Sequence, residues 1–475
     1  MTEIVKTDIC VIGGGSGGLS VAAGAAQMGA RTVLIEKGKM GGDCLNYGCV
    51  PSKALIAAAH AAEQVRGSGK FGVNGHEPEV DFARVHDHVH GVIGAIAPHD
   101  SVERFEGLGV QVIQGAARFT GPREVEVNGQ RVRARRFVIA TGSSAAVPPI
   151  EGLDGVPYLT NETVFDLTER PEHLLVIGGG PIGAELAQAH RRLGAEVTML
   201  EMFRILGKDD PDVTEVVRRR LAAERIAMLE GIAIKSVGRR GNGVEVTIER
   251  DGEEVKIDGS HVLVAAGRKP NVAGLDLEAA GIDYSPKGIA VDDRLRTTNK
   301  RVFAIGDVAG GYQFTHMAGY HAGIVIRNAL FALPAKVNYS AVPWVTYTDP
   351  EIAHVGLTEA AAREKFGDAV KAVTWSFEEN DRAQAERQTE GLVKVVTGKR
   401  GKILGASIVG PHAGELLQPW ILAIQQGLKI GAMASVIAPY PTLGEVNKRA
   451  AGSYFTPSLF SPRTRKVVGL LQHLP

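Results

Sequence analysis

One nucleotide-binding pattern occurs twice in this chain, beginning at residues 13 and 178. Each copy has a short apolar run, a glycine-rich loop, an alanine-containing helical stretch and a second apolar run that ends in an acid. From Gly13 to Glu36 is 23 positions, and from Gly178 to Glu201 is again 23. Because two accidents at one offset are improbable, the sequence predicts two βαβ dinucleotide-binding domains of the same design.

Two of the three cysteines lie in the segment 41–53, GGDCLNYGCVPSK. An offset of five residues on a regular helix rises about 7.5 Å, whereas a disulfide needs Cα atoms roughly 4.4–6.8 Å apart. Cys44 and Cys49 can therefore pair only across a distorted turn, which the neighbouring glycines and Pro51 favour. A ring this small adds little stability, so a disulfide here is expected to act as a redox couple. Two buried free thiols are the alternative.

The composition narrows the class of partner. With 475 residues, 44 % of them hydrophobic, the chain is long enough for about three domains. Lys plus Arg and Asp plus Glu both number 53, so neither nucleic acid nor an acidic membrane is expected as a partner. The uncharged run 9–30 contains seven glycines, which suits a phosphate loop better than a membrane span. No secretory leader is recognisable, and a cytoplasmic location is expected.

The carboxyl-terminal region follows a different pattern. From about residue 341, strands and helices alternate without a phosphate loop, which predicts an antiparallel sheet with flanking helices and a dimerisation role. His86, His88 and His90 alternate within a predicted helix, where positions two apart do not share a face. No metal site is therefore predicted.

These motifs, taken in order, resemble the flavin-dependent pyridine nucleotide–disulfide oxidoreductases, which include dihydrolipoamide dehydrogenase, glutathione reductase and mercuric reductase. The matching elements are GGGSGG with Glu36, the cysteine segment, ATG at 140–142, GGGPIG with Glu201, and FAIGD at 303–307. The resemblance implies an α/β fold with two Rossmann-like dinucleotide-binding domains, as in glutathione reductase, and a C-terminal α+β dimerisation domain. It implies an FAD domain at 1–150 completed by 276–340, an NAD(P) domain at 151–275 and an interface domain at 341–475.

The resemblance also implies roles for single residues. Cys49 would face the flavin as a thiolate, and Cys44 would attack the substrate. Lys53 and Glu185 would lie near the isoalloxazine ring, and Asp307 would bind the ribityl chain. The other expected cofactor contacts are Gly13, Gly15, Ser16, Gly17, Gly18, Glu36, Lys37, Gly42, Asp43, Ala116, Ala140, Thr141, Gly142, Gln313, Phe314 and Thr315 for FAD, and Gly178, Gly180, Gly183, Glu201 and Gly267 for the nicotinamide nucleotide.

The acid that ends the second copy of the pattern bears on cofactor choice. Glu201 would accept hydrogen bonds from a ribose diol and would repel a 2′-phosphate, so NAD(H) is favoured. Arg204 lies three residues further on and could reach a phosphate. NADP(H) is therefore the second candidate.

The chain departs from the family pattern at the expected base. Most members carry HxHPTxxE near the C-terminus, in which the glutamate orients a histidine. Here Tyr440 replaces that histidine and Glu445 is retained. A phenol, with a reference pKa near 10, is a poor base at neutral pH. Tyrosine at this position resembles mercuric reductase, yet no cysteine follows Cys49 in this sequence, so that enzyme's C-terminal cysteine pair is missing.

Three hypotheses follow for the activity. The first is an FAD-dependent homodimeric enzyme that passes hydride from NAD(P)H through FAD to a Cys44–Cys49 disulfide, and on to a disulfide or thiol-bound electrophile; dihydrolipoamide dehydrogenase is the nearest alternative substrate assignment. The second is a diaphorase that reduces quinones. The third is a flavoprotein that serves only as a partner subunit.

Overall fold

The polypeptide forms two compact units in the computed structural model, which describes residues 4–473. One unit comprises the chain through Met202 together with Leu229–Val337, and the other comprises Phe203–Met228 with the chain from Asn338 onward. The division at residues 150, 275 and 340 made from the sequence stays a prediction.

The first unit is organised on a seven-stranded sheet. Its central strands are parallel, and two further strands extend one edge as an antiparallel meander. In spatial order the strands are Val110–Gln114, Thr32–Glu36, Ile4–Ile12, Gln130–Ile139, Glu124–Val127 and Arg118–Gly121, with Val302–Ala304 parallel to Gln130–Ile139.

Both faces of this sheet are buried. Along the first strand, Ile9 and Val11 pack into one hydrophobic core, and Cys10 and Ile12 pack into another. Successive residues of a strand point to opposite faces, so a strand covered on both sides reads as the unbroken apolar run seen at residues 9–12. The cysteine at position 10 is therefore a core residue.

A second parallel sheet repeats this plan. Its order is Ala227–Glu230, Glu196–Glu201, His173–Ile177, His261–Val264 and Tyr158–Leu159. Beside it lies an antiparallel sheet of Ala233–Arg240, Gly243–Arg250 and Glu253–Gly259. Two short two-stranded ladders pair Ser143–Ala145 with Arg268–Pro270 and Tyr284–Ser285 with Gly288–Ile289.

The second unit contains a five-stranded antiparallel sheet. Its order is Pro343–Thr346, Glu351–Gly356, Ile403–Gly410, Leu392–Thr397 and Lys371–Ser376. Helices flank this sheet, and Trp420 and Val446 pack from them into its core. The antiparallel sheet expected from the sequence is confirmed.

The helices fall between these strands. In the first unit they are Ser16–Gln27, Gly42–Asn46, Cys49–Gly67, Phe82–Ile96, Val102–Gly107, Pro181–Arg192 and Thr315–Ala329. In the second unit they are Pro211–Ala223, Glu359–Phe366, Asp381–Glu386, Ala413–Leu416, Gln418–Gln425, Ile430–Ala434, Glu445–Ser453, Thr456–Leu459 and Pro462–Leu471.

Candidate active site

The first glycine-rich loop is a close-packed turn between strand and helix. Gly13 has φ +110°, and a Cβ at this position would lie 2.3 Å from the carbonyl oxygen of Ala140. A Cβ on Gly18 would lie 1.8 Å from the carbonyl oxygen of Gly13. Both positions therefore require glycine, and the helix Ser16–Gln27 starts directly against the strand that precedes the loop. This is the local geometry that presents backbone N–H groups to a pyrophosphate.

The second loop has the same geometry. Gly178 has φ +111°, with a hypothetical Cβ 2.5 Å from the carbonyl oxygen of Ala265, and a Cβ on Gly183 would lie 2.1 Å from that of Gly178. Gly180 differs, because a Cβ there would meet no protein atom within 4 Å. Protein packing does not account for a glycine at position 180, whereas close approach by a ligand does. Both loops thus fit dinucleotides such as FAD and NAD(H).

Glu36 and Glu201 are the last residues of their strands, and each contacts the glycine-rich loop of its own domain. The carboxylate of Glu36 accepts hydrogen bonds from the N–H groups of Gly14, at 2.5 Å, and Gly38, at 2.6 Å. Glu201 accepts one from the N–H of Gly179 at 2.6 Å. The carboxylates are therefore held at equivalent places in the two domains, each beside its phosphate loop.

The cysteine segment folds as two helices separated by a turn. Cys44 lies in Gly42–Asn46, Tyr47 and Gly48 form the turn, and Cys49 is the first residue of Cys49–Gly67. A Cβ on Gly48 would lie 2.9 Å from the carboxylate of Asp43. The distorted turn expected from the spacing is present, and it brings the two thiols into hydrogen-bond contact with each other.

The environment of the two thiols is unequal. The hydrogen bond from Cys44 lowers the pKa of Cys49 to about 6, with help from Thr315 and from the charge of Lys53. The same hydrogen bond to Cys49, together with burial, raises the pKa of Cys44. Cys49 is therefore the sulfur that carries negative charge, and Cys44 is the sulfur that keeps the proton.

A hydroxyl at a helix start faces the charged sulfur. The Oγ1 of Thr315 lies 3.4 Å from the Sγ of Cys49, and Thr315 is the first residue of the helix Thr315–Ala329. Helix N-termini favour negative charge. Thr315, expected from the sequence as a cofactor contact, thus also contacts a reactive sulfur, a role that sequence reasoning missed.

Lys53 and Glu185 form an ion pair between adjacent helices. The Nζ of Lys53 lies 2.7 Å from a carboxylate oxygen of Glu185, whose side chain is only 7 % exposed. Lys53 follows Cys49 by one helical turn, which places both on one face of their helix. The positive charge of Lys53 helps to lower the pKa of Cys49, and the expected place of Lys53 and Glu185 near the isoalloxazine ring stays a prediction.

The other residues expected to contact FAD lie within or next to strands and helices of the first unit. The side chain of Ser16 hydrogen-bonds Cys44, and the exposed residues Lys37 and Ala116 follow the strands Thr32–Glu36 and Val110–Gln114. The others lie at the ends of neighbouring strands and helices: Gly15, Gly17, Gly42 and Asp43 around the first loop, Ala140, Thr141 and Gly142 after Gln130–Ile139, and Gln313 and Phe314 before Thr315–Ala329. Gly267, one of the five residues expected to contact the nicotinamide nucleotide, directly precedes Arg268–Pro270.

Asp307 belongs to a polar network that the sequence did not predict. Its carboxylate accepts a 2.5 Å hydrogen bond from the hydroxyl of Ser143, and burial raises its pKa. Arg268 donates to the same hydroxyl at 2.8 Å and pairs with Asp43 at 3.0 Å. The sequence offered one signal for Arg268: it directly follows Gly267, an expected cofactor contact, in the segment AAGRKPN.

The two expected residues from the carboxyl-terminal region lie in the second unit. Tyr440 is 70 % exposed, and its hydroxyl donates to the carboxylate of Asp381 at 2.9 Å. This hydrogen bond raises the pKa of the phenol. Glu445 starts the helix Glu445–Ser453. Asp381, which sequence reasoning missed, therefore keeps the phenol of Tyr440 protonated, so that it is even less available as a base at neutral pH.

Three further observations concern the described chain as a whole. Burial raises the pKa of Cys10, which makes this thiol unreactive at neutral pH. Within residues 4–473, no three His, Cys, Asp or Glu side chains are grouped so that they could hold a metal ion. Nor does that part of the chain contain a helix with the length and apolar character needed to span a bilayer.

Comparison with known families agrees with this geometry. Residues 7–322 match the family described as pyridine nucleotide-disulphide oxidoreductase, and residues 342–451 match the dimerisation domain of the same family. The dimerisation domain supports a homodimer.

The most similar relatives include proteins named for two different activities. A mercuric reductase from Bacillus cereus is 37 % identical over 93 % of this chain and 70 % of its own length. A dihydrolipoyl dehydrogenase from Geobacillus stearothermophilus is 37 % identical over 94 % of this chain and 96 % of its own.

Solved structures show the same fold. The Cu(II) complex of RclA, an HOCl-induced flavoprotein disulfide reductase from Escherichia coli, has a TM-score of 0.85 at 27 % identity, over 93 % of this chain and 99 % of that one. LpdA from Mycobacterium tuberculosis has a TM-score of 0.86 at 28 % identity, over 95 % and 99 %. The family, the fold class and the enzyme class expected from the sequence are confirmed. The chain is a flavoprotein oxidoreductase with FAD as cofactor, and it belongs to the pyridine nucleotide–disulphide oxidoreductase family.

Proposed function

We propose that the protein is an FAD-dependent NAD(P)H:disulfide oxidoreductase that acts on a small disulfide or on an electrophile bound to thiols. The observation that carries this proposal is the unequal thiol pair. Cys49 has a pKa lowered to about 6, and Cys44 keeps its proton in hydrogen-bond contact with it. An inert pair of buried thiols would share raised pKa values, as Cys10 has.

FAD, when bound, supplies two-electron transfer between a nicotinamide and a sulfur pair. The two cysteines of this chain then act one after the other on the substrate. Cys44, once deprotonated, attacks one sulfur of the substrate disulfide, which forms a mixed disulfide and releases the first substrate thiolate. The Cys49 thiolate attacks the sulfur of Cys44, which releases the second substrate thiolate and leaves a Cys44–Cys49 disulfide. Each released thiolate takes one proton.

Other side chains hold the charges during these steps. Thr315 donates to the Cys49 thiolate, and Lys53, fixed by Glu185, offers a positive charge nearby. We assign Tyr440 and Glu445 of the partner subunit to the substrate side of Cys44, as the family resemblance implies. A phenol there donates a hydrogen bond or binds a soft electrophile, but it does not shuttle protons as imidazole does. Substrates that need little proton transfer, as in metal–thiolate exchange, are therefore favoured over dihydrolipoamide.

A thiol titration tests the function. Anaerobic addition of one equivalent of NADH per FAD to the oxidised holoenzyme is expected to expose two new thiols per subunit. Bleaching of the flavin with no new thiols would contradict the proposal and indicate a diaphorase. Absence of both new thiols and bleaching would indicate a flavoprotein without nicotinamide-dependent activity.

NADH is expected to be the better reductant, by at least about tenfold in kcat/KM. The carboxylate of Glu201 is held at the second loop by the N–H of Gly179, where it accepts from a ribose diol and repels a 2′-phosphate. Steady-state kinetics with both nucleotides measures the ratio, and Glu201→Gln is expected to narrow it by weakening the repulsion. A tenfold preference for NADPH in the native enzyme would overturn the assignment.

A further inference from the structure

Arg268 lies between two carboxylates of the proposed FAD site. Its Nη2 is 3.0 Å from a carboxylate oxygen of Asp43, and its Nε is 4.0 Å from one of Asp307. The arginine side chain is only 13 % exposed. The charge of this guanidinium is therefore screened less than that of a surface arginine.

Ser143 joins Arg268 to Asp307. Arg268 donates from Nε to the Ser143 hydroxyl and from Nη2 to the Ser143 carbonyl, both at 2.8 Å. The buried hydroxyl of Ser143 in turn donates to Asp307 at 2.5 Å. The strands that carry Arg268 and Ser143 pair with each other. The pairing of these two strands therefore fixes the position of the guanidinium group. Hydrogen bonds run without a break from Arg268 through Ser143 to Asp307.

Asp43 lies at the other end of this chain, beside the first phosphate loop. The segment before it is bonded to the loop through the N–H of Gly41 and the carbonyl of Gly14, at 2.9 Å. A Cβ on Gly42 would lie 2.7 Å from the Cα of Gly15, where the helix Ser16–Gln27 begins. Pyrophosphates bind at such helix starts. Asp43 therefore brings a negative charge to the region expected to receive an anionic group.

The carboxylate of Asp43 is also fixed in direction. Asn161 donates to its Oδ1 at 3.0 Å and to the carbonyl of Tyr47 at 3.1 Å. The acid thus has little freedom to turn away from the loop. Arg268, which contacts the same oxygen, is the cation that the structure places against it.

We propose that Arg268 is the charge-balancing and positioning residue of the FAD site: its guanidinium neutralises Asp43 beside the pyrophosphate region and, through Ser143, orients Asp307 toward the ribityl region. This inference rests on the assignment of the first loop to FAD. Arg268 acts through other residues and takes no part in sulfur chemistry.

The test is a double-mutant comparison on FAD affinity, measured by the fluorescence of FAD released on dilution of the holoenzyme. Arg268→Gln is expected to weaken FAD binding by at least about tenfold, because it leaves Asp43 unpaired in a partly buried site. Asp43→Asn is expected to weaken FAD binding less than Arg268→Gln does, because it removes the charge that the guanidinium balances. The double variant Asp43→Asn/Arg268→Gln is expected to recover most of the lost affinity, since the uncompensated charge is gone.

A second pair of variants covers the case in which Arg268→Gln does not fold. Arg268→Lys keeps the charge but cannot donate to Ser143 and Asp43 as a planar fork. It is expected to weaken FAD binding several-fold, with affinity again improved by Asp43→Asn. The urea midpoint of unfolding is measured for each apoprotein as well. If Arg268 only stabilised the fold, its substitution would lower this midpoint and leave the affinity of the folded protein for FAD unchanged.

Two outcomes would overturn the inference. One is native FAD affinity in the Arg268 variants, and the other is a loss of affinity that Asp43→Asn does not reverse. These results are independent of the thiol titration, so an enzyme that gains two thiols with NADH but ignores Arg268 would retain the proposed function and lose only this inference.

Discussion

Cys49→Ser is expected to lose disulfide turnover by at least about 10³-fold while keeping its FAD. A serine hydroxyl neither ionises near neutral pH nor forms a disulfide, so it cannot replace the thiolate that Thr315 and Lys53 stabilise. The long-wavelength absorbance that a thiolate gives next to an oxidised flavin is expected to disappear with it. Steady-state assays and spectra on partial reduction measure the two effects.

The matched control is Cys10→Ser. Cys10 lies in a core strand and its pKa is raised by burial, so this substitution is expected to leave the absorbance band intact. The result that would contradict the assignment is the reverse pattern, with the band lost in the Cys10 variant and kept in the Cys49 variant.

The same band should report the ionisation of Cys49. A thiol whose pKa is lowered to about 6 is a thiolate above that pH and is protonated below it. The absorbance of the two-electron-reduced enzyme is therefore expected to rise as the pH increases through about 6. A midpoint near the ordinary thiol value of about 8.5 would show that the hydrogen bonds to Cys49 do not stabilise its charge.

Tyr440→His is expected to raise dihydrolipoamide oxidation by about 10²-fold, the lower range of what general acid–base assistance supplies. Tyr440 lies next to the carboxylate of Asp381, and the charge of Glu445 also acts on it. Both carboxylates would favour a protonated imidazole, and either could orient it. The measurement is kcat with dihydrolipoamide and NAD⁺ for the native and variant enzymes.

Tyr440→Phe is the control for this prediction. Because the phenol is a poor base, its removal is expected to change the low dihydrolipoamide activity little. Native activity at the level of an ordinary dihydrolipoamide dehydrogenase, unaffected by Tyr440→Phe, would rule out the assigned role. It would indicate a proton carrier elsewhere, with His316 the first candidate, whose ring stacks on Phe314 at 5.2 Å.

Features set by local chain geometry were predictable from residue order. The two loops are such a case, because Gly13 and Gly18 are forced to be glycine by atoms within a few residues or on the adjoining strand. The turn between Cys44 and Cys49 is another, since no regular helix can bring an offset of five together. The antiparallel carboxyl-terminal sheet was also recognisable from its strand pattern.

Strands built from charged and exposed residues have little signal in the sequence. Ala233–Arg240 and Glu253–Gly259 are such strands, rich in charged and exposed residues. They are strands because both pair with Gly243–Arg250. The strand Gln130–Ile139 is longer than its apolar part, which starts only at residue 137. Its polar first residues are in the strand because they pair with Glu124–Val127.

Residue order accounts for the two nucleotide loops, the cysteine turn and the family, since each depends on spacing along the chain. The lowered pKa of Cys49 owes most to its hydrogen bond with Cys44, but it also depends on Thr315, 266 positions from Cys49. The link from Arg268 to Ser143 spans 125 positions. Such contacts are set by which helices and strands pack together and by the direction of each side chain, and no local pattern encodes either. The charge balance of the site is therefore a property of the folded chain.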